Sequence, residues 1–229
     1  MKSEEEACGN NVILMKVLKM AVLLAGGKSS RMGFEKALAE ICGKKMIEWV
    51  IDALRGTINF VIATSEKNAP KTKAYCMRKR YEIIETPGRG YHEDLRFIQQ
   101  RIGQPAFISV SCDIPFLRSE HVNALIDAYK RTKKSITGVV PLSMLPKGFS
   151  PSHIFELSAK KYVAFGLNVV SKDEDEGAVL VFEDALLGVN VNTKVELKLA
   201  NDLMRISGRC KMGKNGDRFT AENRSDVVS

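Results

Sequence analysis

The sequence predicts an α/β fold in which a mostly parallel sheet carries helices on both faces. Short apolar runs of strand length alternate along the chain with stretches whose apolar residues recur at helical spacing, and this alternation is typical of parallel strands joined by crossover helices. The first apolar run leads directly into a glycine-rich turn, at the end of a strand where sheets of this kind bind ligands. With 229 residues, 45% of them hydrophobic, the chain can form one large core.

The predicted elements begin with a strand at Met20 to Leu24, whose unbroken apolar sequence indicates burial on both faces. A helix at Met46 to Leu54 stops before Gly56, and a strand at Asn59 to Ala63 completes a β-α-β unit. The elements that follow are a helix over Ala69 to Arg80, a strand over Glu82 to Glu85, a helix over Tyr91 to Ile102 that Gly103 ends, a strand over Ala106 to Ser111, and a helix that Ser119 caps and that runs to about Lys133.

The pattern weakens after residue 140, where three prolines and Gly148 indicate an irregular segment. A strand over Ala164 to Val170, an acidic loop over Asp173 to Glu176 and a helix over Val195 to about Ile206, capped by Thr193, complete the prediction. The globular domain therefore spans residues 20–206. An N-terminal extension, residues 1–19, precedes it, and a polar, basic tail, residues 207–229, follows that we expect to be disordered.

The charge distribution argues against two classes of partner. The formal net charge is +8, but the densest basic segment, Lys67 to Arg80, has helical spacing, and we interpret it as a solvated helix face and not a nucleic-acid site. Lys16 and Lys19 interrupt the longest early apolar stretch, so no segment reaches the ~20 apolar residues of a membrane helix. The acidic start Met-Lys-Ser-Glu-Glu-Glu is unlike a secretory leader. We therefore expect a cytoplasmic protein with no membrane span.

The cysteines give no sign of a structural cross-link. All five are scattered and none is spaced C-x-x-C, which argues against a disulfide framework and against a structural zinc site. We expect reduced, mostly packed thiols at Cys8, Cys42, Cys76, Cys112 and Cys210.

The strongest chemical signal is the segment from Leu24 to Lys36, which reads Leu-Ala-Gly-Gly-Lys-Ser-Ser-Arg-Met-Gly-Phe-Glu-Lys. Its glycines let the backbone approach a polyphosphate closely, and Lys28, Arg31 and Lys36 supply positive charge. It matches neither G-x-x-x-x-G-K-[ST] nor G-x-G-x-x-G, so kinase-like and dehydrogenase-like functions lose their main support. The alternative is an ordinary strand-to-helix turn with surface cations.

A second signal is Asp113, which follows the predicted strand Ala106 to Ser111 in the sequence Ser-Cys-Asp-Ile-Pro-Phe-Leu. A carboxylate there is a good hard-oxygen ligand for Mg²⁺, although an aspartate can also cap the turn that follows a strand. Because both signals come after the carboxyl ends of strands, their spacing is consistent with one active site.

These two segments resemble the nucleotidyltransferases that share a Rossmann-like, glycosyltransferase-A type fold. The pattern G-G-x-[ST]-x-R-M-G-x-x-K fits from Gly26 to Lys36 without a gap. The resemblance implies that the loop holds a nucleoside triphosphate, that Arg31 contacts its distal phosphates, that Lys36 lies by the α-phosphate, and that Asp113 binds Mg²⁺ between phosphates.

Within that superfamily the chain resembles the archaeal GTP:adenosylcobinamide-phosphate guanylyltransferases. The segments that carry this resemblance are 71–75, 88–95, 166–171 and 190–193 with 197–200. The first two motifs also suit the molybdenum-cofactor guanylyltransferases, but those would show a Gly-Pro-Leu type segment where this chain has Thr-Pro-Gly-Arg-Gly-Tyr at 86–91. The implied reaction transfers GMP from GTP to adenosylcobinamide phosphate in cobamide biosynthesis and releases pyrophosphate. It needs no general base, because a phosphate nucleophile is already anionic.

The resemblance also implies a set of nucleotide contacts. These are Leu24, Ala25, Gly26, Gly27, Lys28, Ser29, Arg31, Lys36, Thr86, Gly88, Gly90, Asp94 and Asn168. The Asp94 carboxylate could accept from N1 and the exocyclic amine of guanine, but an acid in a first helical turn is also stabilised by the helix dipole alone. Asn168 and Asn192 could position nucleotide or metal, or form turns. Other functions left open are transfer to molybdopterin or a sugar phosphate, a non-catalytic GTP-binding module, and an RNA binder that uses the Lys67 to Arg80 face.

Overall fold

The computed structural model of the protein describes residues 18–172 and 177–210. The strands are β1 (Met20–Leu24), β2 (Glu40–Ile41), β3 (Lys44–Lys45), β4 (Asn59–Thr64), β5 (Ile83–Glu85), β6 (Ala106–Ser111), β7 (Ile136–Pro141), β8 (Ile154–Leu157), β9 (Lys160–Ser171) and β10 (Ala178–Val181). The helices are α1 (Met46–Leu54), α2 (Pro70–Arg78), α3 (Tyr91–Ile102), α4 (Ser119–Thr132) and α5 (Lys194–Ile206).

One large sheet organises the described chain, in the order β10-β7-β9-β6-β1-β4-β5, with β8 paired to β9. Its neighbours are parallel from β6 through β1 and β4 to β5, and again between β7 and β10. Strand β9 is antiparallel to β6 and β7, and β2 and β3 form a separate hairpin. The predicted mostly parallel α/β fold is confirmed.

The two faces of β1 bury alternate side chains, because successive residues of a strand point to opposite sides. Ala21 and Leu23 belong to a core with α1 and α4, while Val22 packs with Ile98 of α3. A third cluster joins α5 to the β2–β3 hairpin. Helices therefore cover both faces, as predicted, and β1 is buried on both.

Several element boundaries match the prediction and others do not. Four elements, β1, α1, α3 and β6, have the predicted bounds, and Thr193 caps α5 by accepting a hydrogen bond at Oγ1 from the Glu196 amide at 3.1 Å. The predicted Ser119 cap is wrong: the cap is Arg118, whose backbone N–H donates to His121 Nδ1 at 3.1 Å, and Ser119 is the first helical residue. Strands β2, β3, β7, β8 and β10 were not predicted, and β9 is longer than predicted.

The expectation of reduced thiols is wrong for two cysteines. Cys42, beside the β2–β3 hairpin, forms a disulfide with Cys210, beyond the end of α5, with a Cα–Cα distance of 5.6 Å. Their 168-residue separation explains why local spacing gave no sign of the pair. Cys76 and Cys112 are free and buried, as expected.

The basic segment forms the predicted solvated face: Lys67, Lys71 and Arg78 to Arg80 are exposed. Within the described ranges, no helix is long and apolar enough to cross a membrane. The extension up to residue 17, the acidic loop 173–176, Cys8 and the tail from residue 211 lie outside the described residues, and the proposed domain limits remain predictions.

Candidate active site

A cavity of about 470 Å³ opens at the carboxyl ends of β6, β1, β4 and β5. Eleven of the predicted nucleotide contacts line it: Leu24, Ala25, Gly26, Gly27, Lys28, Ser29, Lys36, Thr86, Gly88, Gly90 and Asp94. The parallel order of these four strands brings the loops after β1 and β5 to one edge. Two segments that are 50 residues or more apart along the chain therefore form one concave surface, with Cys112 and Ser111 closing a further side.

The loop after β1 is shaped by close backbone contacts. A Cβ on Gly26 would lie 3.1 Å from the Ser65 nitrogen, which leaves little room for any other residue. Ser29 has a positive φ of 50° and closes a turn by accepting the Met32 amide at 3.0 Å. Its Oγ also accepts the Lys36 amide at 3.0 Å. The Met32 side chain is buried in the core and anchors the loop. The side chains of Lys28 and Arg31 are exposed on its surface.

Lys36 and Asp113 meet at the inner end of this loop. The Lys36 Nζ lies 2.6 Å from Asp113 Oδ2 and donates to Asn192 Oδ1 at 3.1 Å. The other carboxylate oxygen of Asp113 accepts from Ser111 Oγ at 2.5 Å and from Asn190 Nδ2 at 3.2 Å. The carboxylate is nearly enclosed, with 6% of the side chain exposed. The two residues predicted to act together are therefore in direct contact.

The electrostatics favour the charged form of Lys36. Burial alone would lower the pKa of Lys36, but the Asp113 carboxylate outweighs it, and the net effect raises that pKa above its ordinary 10.5. The positive charge of Arg31 acts in the opposite, lowering direction on the same pKa. Burial raises the pKa of the neighbouring Cys112 thiol to about 12, so this cysteine is a neutral packing group and not a nucleophile.

The oxygen atoms around Asp113 fit a hard divalent cation. Asn190 Oδ1 is buried without a hydrogen-bond partner, which leaves an unused acceptor next to the carboxylate. The described residues contain no cluster of three or more His, Cys, Asp or Glu side chains that could hold a metal by themselves. A site with one carboxylate and amide oxygens suits an ion such as Mg²⁺, which takes its remaining ligands from water and substrate phosphates.

The opposite end of the cavity is formed by the loop after β5. Thr86 is tied to β4 by two hydrogen bonds to the Thr64 carbonyl, from its amide at 2.8 Å and its Oγ1 at 3.2 Å. The Gly88 carbonyl accepts from Asn68 Nδ2 at 2.8 Å. Asp94 Oδ1 accepts the Gly88 amide at 3.0 Å. This loop is a rigid rim with backbone groups and a carboxylate facing the cavity.

The chain is similar to several known proteins. Residues 21–161 match the MobA-like NTP transferase domain family. The adenosylcobinamide-phosphate guanylyltransferase of Methanocaldococcus jannaschii is 33% identical over 198 residues, which cover 82% of this chain and 98% of that protein. The chain belongs to the MobA-like NTP transferase family. A probable molybdenum cofactor guanylyltransferase of Peptoclostridium acidaminophilum is 28% identical over 56% of this chain and 58% of its own length. The prediction of a nucleotidyltransferase is confirmed.

Solved structures of this NTP transferase fold superpose on the chain at low identity. A CMP:2-keto-3-deoxy-manno-octonic acid synthetase complexed with CTP has a TM-score of 0.63 at 15% identity and covers 83% of this chain and 99% of its own. The molybdopterin-guanine dinucleotide biosynthesis protein A from Archaeoglobus fulgidus has a TM-score of 0.54 at 17% identity, with coverage of 82% and 99%. At these identities the similarity confirms the fold alone.

Three predicted residues of the NTP transferase site do not line the cavity. Asp113 is one of them, and it is connected to the cavity wall through its ion pair with Lys36. Arg31 is exposed on the loop and does not line the cavity. Asn168 lies within β9 opposite Ser109 and Thr137, also outside the lining, and its Oδ1 is buried without a partner.

Other residues at the site were not singled out from the sequence. Glu35, Asn68 and Thr72 line the cavity, and Asn190 holds Asp113. Glu196, only 3% exposed, accepts the Asn192 amide at 2.9 Å and thereby fixes the loop that carries both asparagines. The spacing Asn-x-Asn before a capped helix was the available signal for this loop.

Proposed function

We propose that this nucleotidyltransferase transfers GMP from GTP to adenosylcobinamide phosphate, using Mg²⁺, in the cytoplasm. The observation that carries the proposal is the enclosed Lys36–Asp113 pair at the inner end of a cavity lined by the glycine loop. The similarity to the Methanocaldococcus jannaschii guanylyltransferase, which spans 98% of that protein, supports the choice of nucleotide and acceptor.

In the proposed reaction a phosphate oxygen of the acceptor attacks the α-phosphorus of GTP. The new O–P bond forms as the bond between the α-phosphorus and the bridging oxygen breaks, and pyrophosphate leaves with the electron pair. The nucleophile is already anionic, so the protein has to position the reactants and offset negative charge. Lys36 would contact the α-phosphate, and Arg31, exposed at the mouth of the loop, would close on the distal phosphates.

Asp113 and the side-chain oxygens of Asn190 and Asn192 are the groups that would hold Mg²⁺. The ion, when bound, offsets charge on the phosphates. These residues also have a role of their own, since the Asp113 carboxylate and Asn192 Oδ1 fix the Lys36 ammonium at the edge of the cavity.

Guanine would be recognised at the rim formed by the loop after β5. Asp94 Oδ1 is already engaged by the Gly88 amide, which orients the carboxylate toward the cavity it lines. Thr86, Gly88 and Gly90 bring backbone groups to the same wall. A carboxylate can accept from both N1 and the exocyclic amine of guanine, and adenine has no matching pair of donors.

A second groove at the same edge of the sheet would receive the acceptor. It measures about 680 Å³ and is lined by Pro141, Leu142, Ser143, Met144, Lys160, Lys161, Tyr162, Val181 and Glu183. Pro141 ends β7 and Val181 ends β10, and both strands run in the direction of β6. Asp113 follows β6, between this groove and the nucleotide cavity in strand order. An acceptor in the groove would therefore reach the α-phosphorus past Asp113, with its phosphate oxygen in line with the bond to the leaving pyrophosphate.

The test is pyrophosphate release by the purified protein with each of the four ribonucleoside triphosphates, with and without Mg²⁺ and adenosylcobinamide phosphate. We expect release only when GTP, the metal and the corrinoid are all present. Pyrophosphate release with molybdopterin would show that molybdopterin, and not the corrinoid, is the acceptor. Molybdopterin is the main alternative because molybdenum cofactor guanylyltransferases are among the similar proteins. GTP binding with no release for any acceptor would contradict an enzymatic role and favour a binding module.

A further inference from the structure

Helix α2 begins without a cap from its own neighbourhood. Its N-cap residue is Ala69, which has no side-chain acceptor, and Pro70 occupies the first turn. The amides of Lys71 and Thr72 are too near the start of the helix to find carbonyl partners within it. Such amides carry the positive end of the helix dipole and need an acceptor from elsewhere.

The acceptor is Glu35, which lies 36 and 37 residues earlier in the chain. Its two carboxylate oxygens accept the Lys71 amide at 2.9 Å and the Thr72 amide at 2.5 Å. The hydroxyl of Thr72, a fully buried residue, donates to the same carboxylate at 2.6 Å. Three hydrogen bonds thus fasten the loop after β1 to α2.

The side chains of Glu35 and of the next residue, Lys36, project to opposite sides of the backbone. Glu35 has an extended backbone, φ −68° and ψ 110°, so consecutive side chains project to opposite sides. Glu35 reaches α2 on the β4–β5 side of the sheet, while Lys36 reaches Asp113 after β6. A single peptide unit therefore separates the residue whose carboxylate binds α2 from the residue whose ammonium faces Asp113.

We infer that Glu35 is a positioning residue that sets the reach of Lys36 by tying the nucleotide loop to the first turn of α2. This inference rests on the proposed function for its effect on turnover, but its effect on Lys36 is independent of substrate. Loss of the tie lets the loop move away from α2 and the ammonium from Asp113, and a displacement of about 1 Å can cost on the order of 100-fold in rate.

The chain offers a matched control in Glu48 of α1. Its carboxylate accepts from Tyr75 Oη at 2.8 Å and from Tyr81 Oη at 2.9 Å, so it also holds α2, but away from the loop and the cavity. Glu48→Gln therefore reports what loosening the packing of α2 does by itself. Glu35→Ala removes the tie, and Glu35→Gln keeps a neutral carbonyl acceptor in its place.

The experiment measures three quantities on wild type and these variants: kcat and KM for GTP, the thermal midpoint, and the rate at which trinitrobenzenesulfonate modifies Lys36, followed by mass spectrometry without nucleotide. We expect Glu35→Ala to lower kcat by about 30-fold or more and to speed Lys36 modification roughly fivefold, because a tethered ammonium is shielded by its partners. Glu35→Gln should fall between Glu35→Ala and wild type. For Glu48→Gln, kcat and the rate of Lys36 modification should both stay within about threefold of wild type. This should hold even if its thermal midpoint falls as far as that of Glu35→Ala.

A kcat for Glu35→Ala within about threefold of wild type, or an unchanged rate of Lys36 modification, would overturn the inference. If Glu35→Ala does not fold, Glu35→Gln is judged by the same two criteria. If the wild-type protein releases no pyrophosphate with GTP and adenosylcobinamide phosphate, the proposed function fails, and the rate of Lys36 modification alone decides the role of Glu35.

Discussion

Replacing Lys36 with methionine keeps the aliphatic stem and removes the ammonium that faces Asp113. The Asp113 carboxylate would then retain its two donors on Oδ1, from Ser111 and Asn190, and lose the one on Oδ2. Breaking a buried ion pair from one side costs about 3–5 kcal/mol. Since the Lys36 side chain is 19% exposed and water can partly replace it, we take the lower end, about 3 kcal/mol. For a domain of this size that lowers the thermal midpoint by roughly 6–12 °C.

A second substitution should restore part of the stability that the first one removes. Asp113→Asn removes the charge that Lys36→Met leaves unpaired, so the double variant should recover about 2 kcal/mol of the loss. Urea unfolding of wild type, both single variants and the double variant, in EDTA and without nucleotide, gives the coupling energy directly. If the two single effects add within about 0.5 kcal/mol, the pair is not energetically coupled, and the buried ion pair does not account for the loss.

Three further predictions test the rim of the cavity and the start of α4. Gly88→Ala should raise the KM for GTP roughly tenfold, because the added Cβ would collide with two side chains and φ is +67°; Gly103→Ala, with the same φ and open space, should cost stability and leave the KM unchanged. Asp94→Asn should raise the KM for GTP by about tenfold, with kcat retained, through loss of a charged acceptor; an unchanged KM would remove Asp94 from guanine recognition. Burial, followed by the charge of Arg118, lowers the pKa of His121 below 6.5 in the folded protein, so the stability it contributes is complete above pH 6.5 and is lost as the pH falls below that value. Protonation removes the hydrogen-bond acceptor of His121, so the loss of stability between pH 7 and pH 5 should be about 1 kcal/mol. Urea midpoints measured at the two pH values should show this loss in wild type but not in His121→Asn. The same loss in His121→Asn would contradict the assignment to His121.

The first half of the fold could be predicted because its local signals agree with one another. Met20–Leu24 is apolar throughout and is buried on both faces, and Tyr91–Ile102 ends at Gly103, which adopts the left-handed conformation that ends helices. Strand β7 escaped prediction because Gly138 and Pro141 are usual strand breakers. In the structure a Cβ at Gly138 would collide with the Leu167 carbonyl, so the glycine permits the close approach of β9. Tertiary contact, not local preference, decides this strand.

In the candidate site, too, local motifs predicted some residues, and others depend on long-range contacts. Lys36 and Asp113 could be named from two local motifs, and the topology brings them within 2.6 Å. Asn190 could not be ranked, because its importance comes from contacts with Asp113 and the Phe165 carbonyl that no local pattern reveals. Glu35 was missed for a similar reason, since its partners Lys71 and Thr72 lie 36 and 37 residues later in the chain. The disulfide between Cys42 and Cys210 is a third contact of this long-range kind.

The position of the two asparagines along the chain has a consequence for synthesis. The residues that line the nucleotide cavity all lie between Leu24 and Cys112, whereas Asn192 lies 156 residues after Lys36. A chain synthesised as far as Cys112 therefore already contains the whole cavity lining, and the asparagines are added much later. Contacts of high sequence separation also form late in folding, because a long loop must close first. The segment that lines the nucleotide cavity is thus synthesised before the asparagines that complete the surroundings of Lys36 and Asp113.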